Sequence, residues 1–192
     1  TDESFEDLCH GNTPETVKKR ITSAIKQKHF GVFEHLIFNF LVDEVGFEVG
    51  FNFLIEGVSR VMTHQLVRHR KASYLQQSQR NVSLEKANII MPPSVPNERK
   101  DDCMLAFQVC RKLYEELVES GMEKEDARYF MPHGTETRVF MTINARGLQH
   151  LLKLRLDEHA QWEIKAVAKE MLDKVKEVCP TVFDDNLKEY WE

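Results

Sequence analysis

The chain has 192 residues, 42% of them hydrophobic and 30% charged, with a formal net charge of -5. That length buries the core of one ordinary domain, and the mixture is that of a soluble globular protein rather than a disordered one. The acidic balance argues against a chain made mainly to coat nucleic acid, no run is apolar enough for a membrane helix, and the N-terminus does not resemble a signal peptide.

No linker or low-complexity tract interrupts the chain, so residues 1–192 read as a single domain. Thr13-Pro14 is an N-cap followed by proline at the first helical position, predicting a helix to about Lys28. Phe47, Val49, Phe51, Phe53 and Ile55 alternate with other residues at a period of two, predicting a strand. Ser59 is placed to cap a following helix carrying Val61, Leu66 and Val67. A short loop or strand is expected after Gln79, and Pro92, Pro93 and Pro96 exclude helix over residues 90–98. A helix follows from about Glu98 to Ser120, with Cys103, Ala106, Cys110, Leu113 and Leu117 as its apolar stripe and Gly121 just past its end. A short helix is expected over Lys124 to Phe130, and a strand over the β-branched and aromatic run Thr137 to Ile143. Two helices close the chain, at about Ala145 to Leu156 and His159 to Val178. The last buries Ile164, Val167, Ala168, Met171, Leu172, Val175 and Val178. The class is α+β, an antiparallel or mixed sheet flanked by helices. Phe38-Asn39-Phe40-Leu41 recurs as Phe51-Asn52-Phe53-Leu54, either a small duplication extending a hairpin or a coincidence.

Cys9, Cys103, Cys110 and Cys179 form no CxxC pair. They read as small buried residues of a reducing cytoplasm, with a catalytic thiol as the other reading. No HExxH or carboxylate trio suggests a metal, and GxGxxG, GxxxxGK[ST] and GxSxG are all missing.

Between Glu56 and Glu85 there is no acidic residue, yet Arg60, Arg68, Arg70, Lys71 and Arg80 fall there with His64 and His69. One reading is a solvated basic face. The other notes that the cations are interleaved with Ser73, Gln76, Gln77, Ser78 and Gln79. Guanidinium forks beside neutral hydrogen-bonding groups suit a small phosphorylated ligand with a polar head. A nucleic-acid groove would usually add stacked aromatics, and only Tyr74 is present. A second group comprises Asn144, Arg146, His150, Leu154, Arg155 and His159. Arg146, His150 and Leu154 recur every four residues and share a helix face. Exposed helix cations are the competing reading of this group.

Arg68-His69-Arg70-x-x-Ser73-x-x-x-x-Ser78-x-Arg80 resembles the signature of flavin-dependent thymidylate synthases. Gly57 to Arg60, His64 to Val67, Asn144 to Leu148, Leu154-Arg155 and His159 to Glu163 resemble the family's other blocks in register, and His29 and Glu34-His35 its N-terminal block. The similarity covers about residues 13 to 183. It implies a sheet with flanking helices, in a homotetramer whose active sites lie between subunits. It also implies methylation of dUMP to dTMP with 5,10-methylenetetrahydrofolate as carbon donor, FAD as hydride carrier, NADPH as reductant and no cysteine nucleophile.

By that resemblance FAD is held by Arg68, His69 and Arg70 with Glu34, Asn144, Arg146, His150, Leu154 and His159. The dUMP site comprises Gln65, Gln76, Gln77, Ser78, Gln79, Arg80, Arg128 and Arg155, with Arg155 against the uracil as the catalytic group. Ser78 has no adjacent base and is assigned to binding rather than nucleophilic attack. His29 lies on the folate side. Gly31 stands where the family usually has Ser or Thr, Asn81 replaces the usual Tyr after the signature, and the segment between Glu34 and the signature is about thirteen residues longer than usual. Two other readings accompany this one: a related flavin enzyme acting at carbon 5 of another pyrimidine nucleotide, and a non-catalytic nucleotide- or RNA-binding relative lacking the flavin contacts.

Overall fold

Strand β3 (Glu136–Asn144) is the middle of a three-stranded antiparallel sheet, between β1 (Gly50–Ser59) and β2 (Ala72–Gln76). The computed structural model describes residues 50–184, which lie within one compact unit spanning 39–192. The predicted helix over Thr13 to Lys28, the first copy of the repeated tetrapeptide, His29, Gly31 and Glu34 lie outside the described residues. The second copy, Phe51 to Leu54, lies in β1.

Alternation decides which sheet face is buried. Val139, Met141 and Ile143 of β3 pair with Ile55, Phe53 and Phe51 on one side and with Gln76, Tyr74 and Ala72 on the other. Against this face pack α1 (Arg60–Leu66), α4 (Ala145–Arg155) and α5 (Trp162–Val178), through Met62, Leu66, Leu148, Leu151, Leu152, Ile164, Ala168 and Met171. The opposite face carries Asn52, Leu54, Phe140, Thr142, Ser73 and Leu75. There the Thr142 hydroxyl donates to Asn52 Oδ1 at 2.6 Å. The β1 register shifts between Ile55 and Val58, and Gly57 takes a φ of 65° in this bulge, a conformation costly for any residue with a Cβ.

Ser59 caps α1 as expected, its hydroxyl accepting from Met62 N at 3.0 Å. The stretch after Gln79, expected as a short loop or strand, is a loop with turns, and the strand β2 lies before it at Ala72–Gln76, where none was expected. This strand is five residues long and largely polar, and it owes its existence to pairing with β3 rather than to its own pattern.

A second cluster joins Leu84, Phe107, Tyr114, Ala127 and Met131. It is built on α2 (Lys100–Glu119), a single helical turn Asn97–Arg99 before it, and α3 (Lys124–Ala127), which runs on as the turn Arg128–Phe130. The buried stripe of α2 is turned from the expected one. Phe107 and Tyr114 are buried, whereas Ala106 and Leu113 face outward. The helix is apolar on two faces, and the two rings win because Phe107 fills the cluster and the Tyr114 hydroxyl accepts from Leu84 N. Helix α5 starts at Trp162 rather than His159, because the Gln161 side chain caps it by accepting from Glu163 N and Ile164 N at 3.0 and 3.1 Å. At its other end Val178 is exposed rather than buried, past the reach of the core.

Candidate active site

The signature segment is the turn that leaves α1 and enters β2. Backbone bonds from Arg68 N to Gln65 O and His69 N to Leu66 O close it. The Tyr74 hydroxyl lies 2.9 Å from the carbonyls of both Leu66 and His69, which share its one O–H. Burial pushes the Tyr74 pKa up, so this phenol stays a donor. The turn thus places His69 inward, with 5% of its surface exposed, and Arg68 and Arg70 outward.

Helix α4 meets this turn at its N-terminus. Asn144 caps the helix by accepting from Gly147 N at 2.7 Å. A Cβ on Gly147 would stand 3.2 Å from the Lys71 carbonyl and 3.0 Å from Ile143 Cγ1, so the absence of a side chain lets the two segments close. One turn along, the His150 ring lies 5.3 Å from that of His69. At the end of α4 the Arg155 guanidinium reaches back to Gln65 O at 3.5 Å. His69, His150, Arg155, Gln65 and Lys71 therefore gather at one place. Burial, then the neighbouring His150, lower the His69 pKa, and Arg155 and Lys71 add to this against a backbone bond to Gly147. The ring is neutral at neutral pH. His69 Nε2, His150 Nδ1 and Arg155 Nε are buried and have no hydrogen-bond partner. Three buried polar nitrogens left open in one cluster are the mark of a site that expects a polar ligand.

The remaining predicted residues divide. Arg146 and Leu154 are exposed on the α4 face that carries His150. His159 lies in an exposed turn, its Nε2 3.5 Å from Glu158, and the described residues do not bring it to His69. Gln76 donates to Thr63 Oγ1 at 2.8 Å, holding the end of β2 against α1. Gln77 accepts from Arg138 Nε at 3.3 Å. Ser78 and Gln79 are half-buried in the following turn, where Ser78 Oγ accepts from Arg80 N. Arg80 is paired with Glu125, whose carbonyl also accepts from Arg128 Nε at 2.9 Å. Two groups result: His69, His150 and Arg155 near Gln65 at the end of α1, and Arg80 and Arg128 about Glu125.

Sequence reasoning counts Glu163 in a family block but gives it no role. It is buried, and its carboxylate accepts from Ser59 N and Ser59 Oγ, both at 2.6 Å. It thereby ties the first turn of α5 to the start of α1. The available signal was an acid at the opening of an otherwise apolar helix face. Tyr74 enters the sequence reading only as the one aromatic of the basic segment, and its hydroxyl role has no sequence signal. Among the described residues no group of three metal-ligating side chains occurs.

Residues 47–181 match the family model described as "Thymidylate synthase complementing protein". A flavin-dependent thymidylate synthase of Clostridium tetani is 36% identical over 93% of this chain and 74% of its own length. The chain belongs to the flavin-dependent thymidylate synthase family. The family's enzyme from Geobacter sulfurreducens is 48% identical over 70% of this chain and 60% of its own length. That from Sulfurisphaera tokodaii is 40% identical over 89% of this chain and 62% of its own. The chain thus spans about three fifths of the length of these two relatives. Among solved structures, thymidylate synthase X from Helicobacter pylori with FAD and dUMP superposes with a TM-score of 0.59 at 31% identity, covering 72% of this chain and 73% of that one. The UMP/dUMP methylase PolB from Streptomyces cacaoi shares the fold, with a TM-score of 0.61 at 23% identity over 70% of this chain and 69% of that one. The α+β class expected from the sequence is the family's fold.

Proposed function

We propose that this chain methylates dUMP to dTMP, with 5,10-methylenetetrahydrofolate as carbon donor, NADPH as reductant and FAD as the bound hydride carrier. The observation that carries the reading is the cluster of unpartnered buried nitrogens on His69, His150 and Arg155. His69 and Arg155 belong to motif blocks shared with the family, and His150 lies between two of them. Buried donors and acceptors without partners fit a polar heterocycle and a nucleotide better than an apolar ligand.

His69 and His150, with Arg68, Arg70, Asn144, Arg146 and Leu154, would hold FAD. Glu34 and His159 belong to the same proposed set, and His29 to the folate side. When bound, FAD supplies the hydride. The rest is done by this chain's own groups. Neutral His69 offers a hydrogen bond without adding positive charge. Arg155 would face the uracil of dUMP and hold the negative charge that builds there as carbon 5 becomes nucleophilic. Gln65, Gln76, Gln77, Ser78, Gln79, Arg80 and Arg128 would orient dUMP, the two arginines at its phosphate and ribose end. Four copies would assemble with the sites between subunits, in the cytoplasm.

Purified protein should be yellow and release FAD on denaturation. It should form dTMP from dUMP, methylenetetrahydrofolate and NADPH. A colourless protein that takes up no FAD would refute the reading, and turnover of UMP but not dUMP would move it to a different pyrimidine substrate.

A further inference from the structure

The turn that carries the signature residues spans the end of α1 and the start of β2, and little in its own sequence holds its shape. Two backbone bonds close it, Arg68 N to Gln65 O at 3.2 Å and His69 N to Leu66 O at 3.0 Å. Both run between residues three apart, the poorer of the helical geometries. The side chains of Arg68, Arg70 and Lys71 are exposed and leave the backbone unsupported from that side. Gly147 of α4 lies against the Lys71 carbonyl, past the end of the closed turn.

Support comes from β2. Tyr74 is the middle residue of that strand, paired in register with Met141, and its ring packs on the main core. Its hydroxyl lies 2.9 Å from the carbonyls of both Leu66 and His69. These carbonyls stand at the two ends of one four-residue turn, so the single O–H they share fixes their separation. The Leu66 carbonyl also accepts from His69 N, whereas the His69 carbonyl has no other donor among the described residues. Burial pushes the phenol pKa up, so the proton stays in place. A buried tyrosine needs an acceptor, and one carbonyl would satisfy it. Bridging two that bracket the same turn does more. It fixes the backbone from which His69 turns inward and Arg68 and Arg70 turn outward. The signature names Ser73 and Ser78 but leaves the position of Tyr74 open.

We propose that Tyr74 is a positioning residue whose hydroxyl holds the turn from Leu66 to His69 in the form that receives FAD, a role that rests on the FAD reading above. Without the hydroxyl the turn samples other forms, and the apparent affinity for FAD falls by the fraction that stays competent.

The test compares the full chain with Tyr74→Phe, which keeps the ring in the core and removes only the O–H. In ligand-free protein, hydrogen exchange at the His69 amide should quicken by about three- to tenfold, the effect of one lost hydrogen bond. Amides within α5 should exchange as in the wild type. FAD titrated into the stripped protein should bind the variant about three- to tenfold more weakly. The rise in melting temperature at a fixed FAD concentration should shrink with it. A hydroxyl that only braces the fold would lower the ligand-free melting temperature and leave that rise unchanged, a result that overturns the proposal. Unchanged exchange at His69 overturns it as well. A wild type that takes up no FAD refutes the cofactor reading instead, and the exchange comparison still decides whether the hydroxyl holds the turn.

Discussion

At the scale of single residues, His69 and Arg155 separate two kinds of buried nitrogen. The lowered pKa of His69 means that the unfolded chain, whose histidine titrates near 6.5, binds a proton more readily than the folded one. Wherever the unfolded state binds more protons, stability rises with pH. Folded ligand-free protein should therefore lose stability as pH falls from about 6.5 toward the lowered folded value. Thermal melts at pH 8 and pH 5.5 should show this loss, and His69→Leu should make it smaller; an equal loss in the variant would mean the imidazole is not held neutral. Arg155 brings a guanidinium to the cluster, so its contribution is electrostatic. Arg155→Ala should lower dUMP-dependent turnover by about 10²–10³-fold, the usual effect of losing one group that stabilises developing charge. FAD content read from the absorbance spectrum should not change. Undiminished turnover would remove Arg155 from the chemistry.

At the scale of elements, Glu163 joins three of them. Its carboxylate fills the two Ser59 donors where β1 gives way to α1, from the first turn of α5. Carboxylates are favoured near helix N-termini, and this one lies at two. Glu163→Ala should cost about 1–3 kcal/mol, the penalty for leaving a buried donor unmet. Denaturant unfolding measures it, and a cost below experimental error would show that water replaces the carboxylate. Elements whose periodicity is carried by their own residues were legible in the sequence: β3, α4 and the Ser59 cap stand where expected, and β1 holds the alternating Phe51, Phe53 and Ile55 but runs on to Ser59. What escaped was decided by partners distant in the chain. Strand β2 depends on β3, the rotation of α2 on Leu84 and Met131, and the start of α5 on Gln161 rather than His159. The same holds for the site. The motif blocks named His69 and Arg155 and the spacing along α4 added His150, but only the fold shows that the Gly147 backbone lets them meet. The ties of Tyr74 and Glu163 join positions that no local pattern links.

At the scale of the whole molecule, α2 poses a question that one protomer leaves open. Its inner face closes the Leu84 cluster. Its outer face presents Leu105, Val109 and Leu113 at four-residue intervals, with Leu105 60% and Val109 61% exposed. These positions form one stripe on a helix. Single exposed apolar residues need no explanation, but an aligned stripe on a long helix is the composition of a subunit contact. The homotetramer proposed above, with sites between subunits, would supply such a contact between copies. Lysines placed in a symmetric contact repeat their charge in every copy, so self-association should suffer more than folding. Leu105→Lys with Val109→Lys should convert the assembly to smaller species by light scattering at micromolar concentration. The melting temperature of each released protomer should fall by only a few degrees, because neither side chain contributes to the core. Turnover should fall along with assembly if each site takes residues from two subunits, and it should recover as protein concentration is raised. A double variant that stays tetrameric and fully active would place the subunit contacts on another face of the protomer.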